Sequence, residues 1–317
     1  MPTVLITGAA SGLGWELARS YHAAGYHLLL TDINANGLTA RIDELGAERV
    51  IGLAGDITDP HLHQQLLKTC SERFGRLDVL INNAGITHRS PAMQTDPAVL
   101  RKVMAVDYQA PVELTLSALP LLRQSRGQII AIGSMAGWMP VLGRAGYCAA
   151  KSALGQFFEV LRAEAARDGI GMLLVYPSFL DTPIEQNALG GDGKQAQHGR
   201  TTIGQIRGAD WMAAQILQAQ QQGRTARLDQ FGMLLNTMTE MLNFKDVELY
   251  YDHVYALKGV SIELMEGETV ALIGANGAGK SSILRAITGL RKIKSGSISY
   301  LGDRIDGRPA AVGAGSG

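Results

Sequence analysis

Val4-Leu5-Ile6-Thr7-Gly8-Ala9-Ala10-Ser11-Gly12-Leu13-Gly14 joins a short apolar run to a glycine-rich turn, and a helical pattern follows from Trp15 to Ala24. Glycines at these positions allow a tight turn, close approach of the backbone to a pyrophosphate and close helix packing. The helix amino terminus then favours the negative charge. A glycine-rich turn by itself can equally bind nothing. The strand before it and the helix after it favour a dinucleotide reading, with Gly8, Ser11, Gly12, Leu13 and Gly14 against the cofactor.

Working outward, a second strand pattern, Tyr26 to Thr31, ends at Asp32, 18 residues beyond Gly14. A carboxylate there accepts hydrogen bonds from adenosine ribose hydroxyls and repels a 2′-phosphate. No Arg or Lys occupies the turn or the two positions after Asp32, so NAD(H) is expected over NADP(H). The alternative is an acidic cap for the helix starting near Asn34. Strand patterns recur at Val50 to Ala54, Leu77 to Ile81, Gln128 to Gly133 and Gly171 to Tyr176. Helical patterns lie between them, from Asp59 to Phe74, from Pro97 to Gln124 with interruptions at Pro111 and Pro120, and from Arg144 to Arg167. A further helix runs from Ala209 to Gln222, and a short strand is possible near Thr225 to Leu228. This alternation predicts an α/β fold, a Rossmann-like doubly wound parallel sheet. His61 and His63 stand two apart on a helix, point to different faces, and are expected at the surface rather than on a metal. The stretch from Gln186 to Gly208 is polar and glycine-rich, either a mobile loop over a substrate cleft or an ordinary surface loop.

The 317 residues allow one large domain plus a small one, and the formal net charge of zero gives no sign of nucleic acid or anionic membrane as partner. Two cysteines, Cys70 and Cys148, stand far apart in no metal or redox spacing, which fits a reducing, cytoplasmic compartment. The first residues pass straight into an apolar strand, so no signal peptide is expected, and no apolar run is long enough for a membrane span.

Tyr147-Cys148-Ala149-Ala150-Lys151 places a phenol and an ammonium four apart on one helical face. A tyrosine titrates near pH 10, and tuning it for acid/base work at neutral pH takes about 4 kcal/mol. One ammonium about 4 to 5 Å away supplies energy of that order. Alone, this spacing more often marks a solvated helix edge. Its weight comes from Ser134, which follows the buried strand pattern, because catalytic groups collect at the carboxyl ends of parallel strands.

Together these motifs, with Asp56, Asn82-Asn83-Ala84-Gly85 and Pro177 through Thr182, resemble the short-chain dehydrogenase/reductase family over residues 1 to 240. Ser134 precedes Tyr147 by 13 residues, the usual family interval. The resemblance implies NAD(P)-dependent interconversion of a secondary alcohol and a ketone on a small-molecule substrate, with Tyr147 as acid/base. Lys151 would lower the tyrosine pKa and hold the nicotinamide ribose, and Ser134 would bind the substrate oxygen. Asp56 and Ile57 would border the adenine, Asn83, Ala84 and Gly85 would support the cofactor, and Thr182 would contact the carboxamide. A homodimer or homotetramer is the family habit. Asp107 stands where the family often has an asparagine of a proton relay, and an ionised carboxylate there should oppose ionisation of the phenol unless Lys151 or water neutralises it. Ser178 replaces a common glycine, and the usual glycine-rich closing strand is missing. In its place Phe231 to Leu242 reads as an apolar helix suited to core or dimer packing, with the cleft or a membrane surface as alternatives. Met135, Trp138, Met139, Phe179 and His88 either line an apolar substrate pocket or belong to the core.

From Met241 the character changes. Val270 to Ile273 reads as a strand leading into Gly274-Ala275-Asn276-Gly277-Ala278-Gly279-Lys280-Ser281, with a helix from Ser282 to Leu290. This is a phosphate-binding loop pattern, in which amides wrap phosphates, Lys280 reaches the terminal ones and Ser281 holds magnesium. Residues 241 to 310 resemble the start of an ABC-transporter ATPase subunit of branched-chain amino-acid importers, with Tyr251 as the adenine-stacking aromatic and Gly274, Asn276, Gly277, Gly279, Lys280, Ser281 and Ser282 around ATP and Mg. The later ATPase motifs are absent, so binding rather than turnover is the expectation. An unstable or loosely docked appendage, a disordered tail over 311 to 317 and a fusion of adjacent reading frames are the accompanying expectations. A nucleotide-binding, transporter-associated protein with the dehydrogenase part as scaffold or NAD sensor is the competing reading.

Overall fold

The computed structural model describes residues 1–138, 140–177, 180–197, 207–222, 240–251, 254–265, 279–300 and 303–306. The chain divides into two compact units, Met1–Met233 and Leu234–Gly317.

In the first unit β1 (Thr3–Thr7), β2 (His27–Asp32), β3 (Val50–Ala54), β4 (Val79–Asn82), β5 (Gln128–Ile132) and β6 (Gly171–Val175) form one sheet. Its order is β3-β2-β1-β4-β5-β6, and every neighbouring pair is parallel. The connecting helices are α1 (Gly12–Ala23), α2 (Ala35–Leu45), α3 (Pro60–Phe74), α4 (Pro97–Met104), α5 (Ala110–Ser125) and α6 (Ala145–Ala165). A short parallel ladder, β7 (Leu180–Asp181) with β8 (Arg207–Gly208), precedes α7 (Ala209–Gln221). The strand order reverses beside β1, so the chain leaves the carboxyl ends of β1 and β4 in opposite directions and opens a crevice there.

The strands alternate between two cores, as a sheet covered on both faces must. Val4, Ile6, Leu28, Leu30, Val79 and Ile81 pack with residues of α1, α2 and α7, whereas Leu5, Leu29, Leu80, Ile129 and Ala131 pack with α3, α5 and α6. Helix starts follow local chemistry: Asp59 and Asp96 accept from the amides of His61 and Ala98, each just ahead of a proline that opens the helix. Asn34, not Asp32, caps α2 by accepting from the Gly37 amide.

Pro111 does not end the helical stretch from Pro97; it sits in the first turn of α5, where its missing N–H is tolerated. A π turn, Ala105–Gln109, joins α4 to α5 instead. Val99, Val103, Asp107 and Pro111 are all buried. Residues four apart drift about 40° per step around an ideal α-helix. The wider turn takes up that drift and keeps Asp107 in line with the core-facing side chains.

Two expectations are corrected here. His63 is buried, 2% exposed, because its Nε2 donates to the Ile57 carbonyl at 2.6 Å; His61 is exposed as expected. Glu240 to Leu242 are the start of a strand rather than the end of a helix, since Leu242 pairs with Leu264 and Tyr300 and is buried. The rest of that apolar stretch, the strand near Thr225 to Leu228 and part of the loop before Gly208 lie outside the described residues, as do Met139, Ser178, Phe179 and the tail from 311.

The second unit contains β9 (Glu240–Tyr251), β10 (Val254–Met265), α8 (Lys280–Ile287), β11 (Ser295–Tyr300) and β12 (Asp303–Arg304), with an antiparallel sheet in the order β10-β9-β11-β12. Leu242 and Phe244 face its core, and so do Val247 and Leu249; the change of phase falls at Asp246, which takes a φ of +48°. Ile283 and Ala286 of α8 complete this small core. Among the described residues no helix is long and apolar enough to cross a membrane.

Candidate functional site

The turn after β1 is tied to its neighbours by polar groups from three strands. Thr7 Oγ1 accepts from the amides of Asn83 and Ala84 at 3.0 and 2.9 Å, and Asn83 Nδ2 donates to the Thr7 and Gly8 carbonyls. Gly8 has a φ of +67°, and a Cβ there would lie 2.9 Å from Ala84 Cα. A Cβ on Gly14 would fall 2.0 Å from the Gly8 carbonyl oxygen, so only glycine lets α1 start so close to the turn. Gly12, with a φ of +53°, would press a Cβ to within 3.2 Å of Thr182 Cβ; the first turn of α1 and the segment after β6 therefore face each other. Ser11 is exposed, while the Leu13 side chain is buried in the core and leaves only its backbone toward the crevice.

Asp32, at the end of β2, accepts from the Ala10 amide through Oδ2 and from the Asn34 amide through Oδ1, both at 2.9 Å. The Gly55 amide donates to the Asp32 carbonyl, which brings Asp56 and Ile57 beside it. Asp56 is exposed and accepts from the Thr58 amide and hydroxyl. Arg41, which belongs to no motif, is carried by α2 over the Trp15 ring at 4.5 Å and onto the Ala10 carbonyl at 3.3 Å.

Ser134, Tyr147, Lys151 and Asp107 come together at the carboxyl ends of β4 and β5. Lys151 Nζ donates to the Ile132 carbonyl at 3.0 Å and pairs with Asp107 Oδ2 at 3.1 Å; its side chain is 5% exposed and that of Asp107 0%. Asp107 Oδ1 accepts from the Ile86 amide at 2.8 Å. The same ammonium stands 5.7 Å from the centroid of the Tyr147 ring, and the Ser134 hydroxyl acts on the phenol to favour its ionised form. Gly85 covers the ion pair: a Cβ there would sit 3.0 Å from Asp107 Oδ2 and 3.5 Å from Lys151 Nζ.

Burial pushes the Tyr147 phenol above its ordinary value; Lys151 draws it down and Asp107 pushes it up again. The single-ammonium argument from the sequence foretold the reverse, because it left out both desolvation and the carboxylate. Burial alone would lower Lys151, yet Asp107 and Tyr147 carry it above the ordinary lysine value. Burial also raises Asp107, against the pull of Lys151 and the Ile86 amide. The close ammonium and the amide donor both favour its charged form.

His88 is fully buried; Nε2 accepts from the Gly146 amide at 2.9 Å and Nδ1 faces Ser90 Oγ, so it braces the first turn of α6 rather than lining a pocket. Met135 packs against the core, and Trp138 is 46% exposed beside Tyr176. A cluster absent from the sequence reading lies next to His88. Arg89 and Arg144 both donate to Glu185 Oε2, with Arg144 at 2.6 Å and the three side chains 13 to 17% exposed. Arg144 caps α6 three residues before Tyr147, and Glu185 follows Thr182 by three.

In the second unit Gly274, Asn276 and Gly277 lie outside the described residues. Gly279, with a φ of +88°, precedes α8, which begins at Lys280; Ser281 is exposed. Ser282 is buried and its hydroxyl turns to Tyr251, whose ring already carries the Arg291 guanidinium at 4.9 Å.

Residues 2–191 match the sequence model of the short chain dehydrogenase family, and residues 257–313 match that of the ABC transporter family. The chain is 37% identical over 225 residues to the cattle (Bos taurus) dehydrogenase/reductase SDR family member 7B, covering 68% of this chain and 69% of that protein. Against the Xenopus laevis protein of the same name it is 36% identical and spans 62% of that protein's length, somewhat under two thirds. Among solved structures, a short-chain dehydrogenase from Sphingobium yanoikuyae in complex with NADPH superimposes with a TM-score of 0.63 at 26% identity, over 72% of this chain and 87% of that one. The fold also matches a 3-ketoacyl-(acyl-carrier-protein) reductase from Brucella melitensis complexed with NADH, with a TM-score of 0.64 at 22% identity, over 72% and 96% of the two chains. The switch in strand order, the glycine turn and these matches agree: the chain belongs to the short-chain dehydrogenase family of oxidoreductases.

Proposed function

We propose that the first unit interconverts a secondary alcohol and a ketone with NAD(H), Tyr147 serving as the acid/base. The observation that carries this reading is the set of buried Tyr147 and Lys151 with half-buried Ser134 at the sheet's carboxyl edge, on the same edge as the glycine turn.

The turn fits a dinucleotide. Gly8 and Gly12 adopt conformations that favour glycine, and a Cβ on either would press on Ala84 or Thr182, so bare backbone lines the turn that leads into the amino terminus of α1. Gly8, Ser11, Gly12, Leu13 and Gly14 would hold the pyrophosphate through backbone, and Asp32 would accept from the adenosine ribose. Asp56 and Ile57 would border the adenine. Asn83, Ala84 and Gly85 would support the cofactor's middle, and Thr182 its carboxamide. The nicotinamide, when bound, supplies or accepts a hydride. Ser134 would orient the substrate oxygen, and Tyr147 would give that oxygen a proton in reduction or take one in oxidation. Lys151 would steady the phenolate and the nicotinamide ribose. Asp32 supports NAD(H) over NADP(H), while Arg41 close by tempers the repulsion of a 2′-phosphate. Two free thiols, Cys70 and Cys148, support a reducing, cytoplasmic setting. A homodimer or homotetramer is the proposed assembly, by analogy with the family.

Purified full-length protein tests this. Calorimetric titration should give tighter binding of NADH than NADPH, and a panel of secondary alcohols should be oxidised with NAD. Binding of neither nucleotide would remove the reading.

The match of residues 257–313 favours a second reading, in which the second unit binds ATP with Mg and the dehydrogenase part serves as scaffold or NAD sensor. ATP binding without any NAD(H) binding would support it.

A further inference from the structure

The direction in which Tyr147 is poised follows from its neighbours, given the acid/base reading above. Two cations face the phenol, both from α6: Lys151 one turn along and Arg144 at the cap. Each is already claimed by a carboxylate. Lys151 is held by Asp107 of the π turn at 3.1 Å, and Arg144 by Glu185 at 2.6 Å. His88, from the loop after β4, accepts an amide proton at Nε2, which requires the neutral ring. Ser134, from the loop after β5, contributes a hydroxyl and no charge. Of the charged groups facing the phenol, the one acid is Asp107; it offsets part of the pull of Lys151, and burial, the largest influence, leaves the phenol raised.

The geometry is built for this. The π turn keeps Asp107 aimed inward, the Ile86 amide fixes one of its oxygens, and Gly85 passes over the pair without a side chain. Lys151 has three N–H donors; one goes to the Ile132 carbonyl and one to Asp107.

We infer that this site is poised as a proton donor, so that the chain reduces carbonyls at neutral pH and oxidises alcohols well only in alkali, with Asp107 the positioning residue that sets the bias. Burial and Asp107 both act on the phenol in that direction. A protonated phenol is the form that reduction consumes; in that step the carbonyl carbon gains the hydride of the reduced nicotinamide and the carbonyl oxygen gains the phenolic proton.

The test uses the full chain as wild type, Asp107→Asn, Glu185→Gln and Tyr147→Phe. Phenolate formation is followed by ultraviolet difference absorbance against pH, with Tyr147→Phe as the blank. In parallel, initial rates in both directions are measured on the best alcohol and ketone pair from the panel. Asp107→Asn should lower the phenol midpoint by about one unit, a tenfold larger phenolate fraction on the neutral side. Neutral-pH oxidation should rise accordingly, and reduction should fail at a lower pH than in wild type. Glu185→Gln should move the midpoint in the same direction by less. Unmoved midpoints and superimposable pH profiles in both variants, with Tyr147→Phe inactive, would overturn the inference while leaving the acid/base reading intact. Full turnover by Tyr147→Phe would instead remove that reading.

Discussion

Asp32 at the end of β2 and Asp107 in the π turn are the same side chain put to opposite uses. Asp32 is half-buried, holds two backbone amides and, among the described residues, pairs with no cation. Asp107 is sealed from solvent, holds one amide and spends its other oxygen on an ammonium. The difference is one of surroundings. Near water a carboxylate keeps its charge cheaply and can repel or accept hydrogen bonds at a cofactor; in the interior its charge persists only with a partner, and it then governs that partner's chemistry.

The sharpest way to break this contrast is to remove the phenol that Asp107 acts on. Tyr147→Phe should lower turnover by roughly a thousandfold, about 4 kcal/mol, while calorimetry still finds NADH bound; equal activity in the two proteins would leave Asp107 with nothing to govern. Gly85→Ala should come next. Its methyl would crowd both ions, so about 2 kcal/mol of stability should go, seen as a fall of several degrees in Tm, and an unchanged Tm would mean the pair shifts without strain. At the other carboxylate, Asp32→Ser should move the NADPH to NADH preference toward NADPH by about tenfold, or 1.4 kcal/mol. No change there would mean that Asp32 serves only to hold the Ala10 and Asn34 amides. The smallest effect is expected from Arg41→Ala, which should weaken NADPH binding about threefold and leave NADH binding unchanged; a loss for NADH alone would reverse the role given to that guanidinium.

The alternation of strands and helices, the glycine turn and the nearness of Ser134, Tyr147 and Lys151 could be read from the sequence because their signals are local. A turn, a helix face and a strand end carry their signals within a few residues. What escaped the reading depends on residues brought together from afar. Glu185 meets Arg89 and Arg144 across 96 and 41 residues. His63 and His88 look like surface or pocket residues until the loops they brace are seen around them. Arg41 reaches Ala10 from 31 residues away. The sign of the Tyr147 shift also escaped, because desolvation is a property of the packed whole and has no signature at the tyrosine itself.

The wide turn at Ala105–Gln109 carries one more consequence. The turn holds one residue more than regular winding would, so rewinding all five residues as α-helix would rotate everything downstream by about 100° on the helix axis. Leu114, Ala118 and Leu122 would then swing out of their core, and Thr115 would leave its hydrogen bond with Asn82. The surplus residue is what lets one helix serve two masters: deleting one codon here would keep α5 on its present face and disturb only the turn from which Asp107 reaches inward.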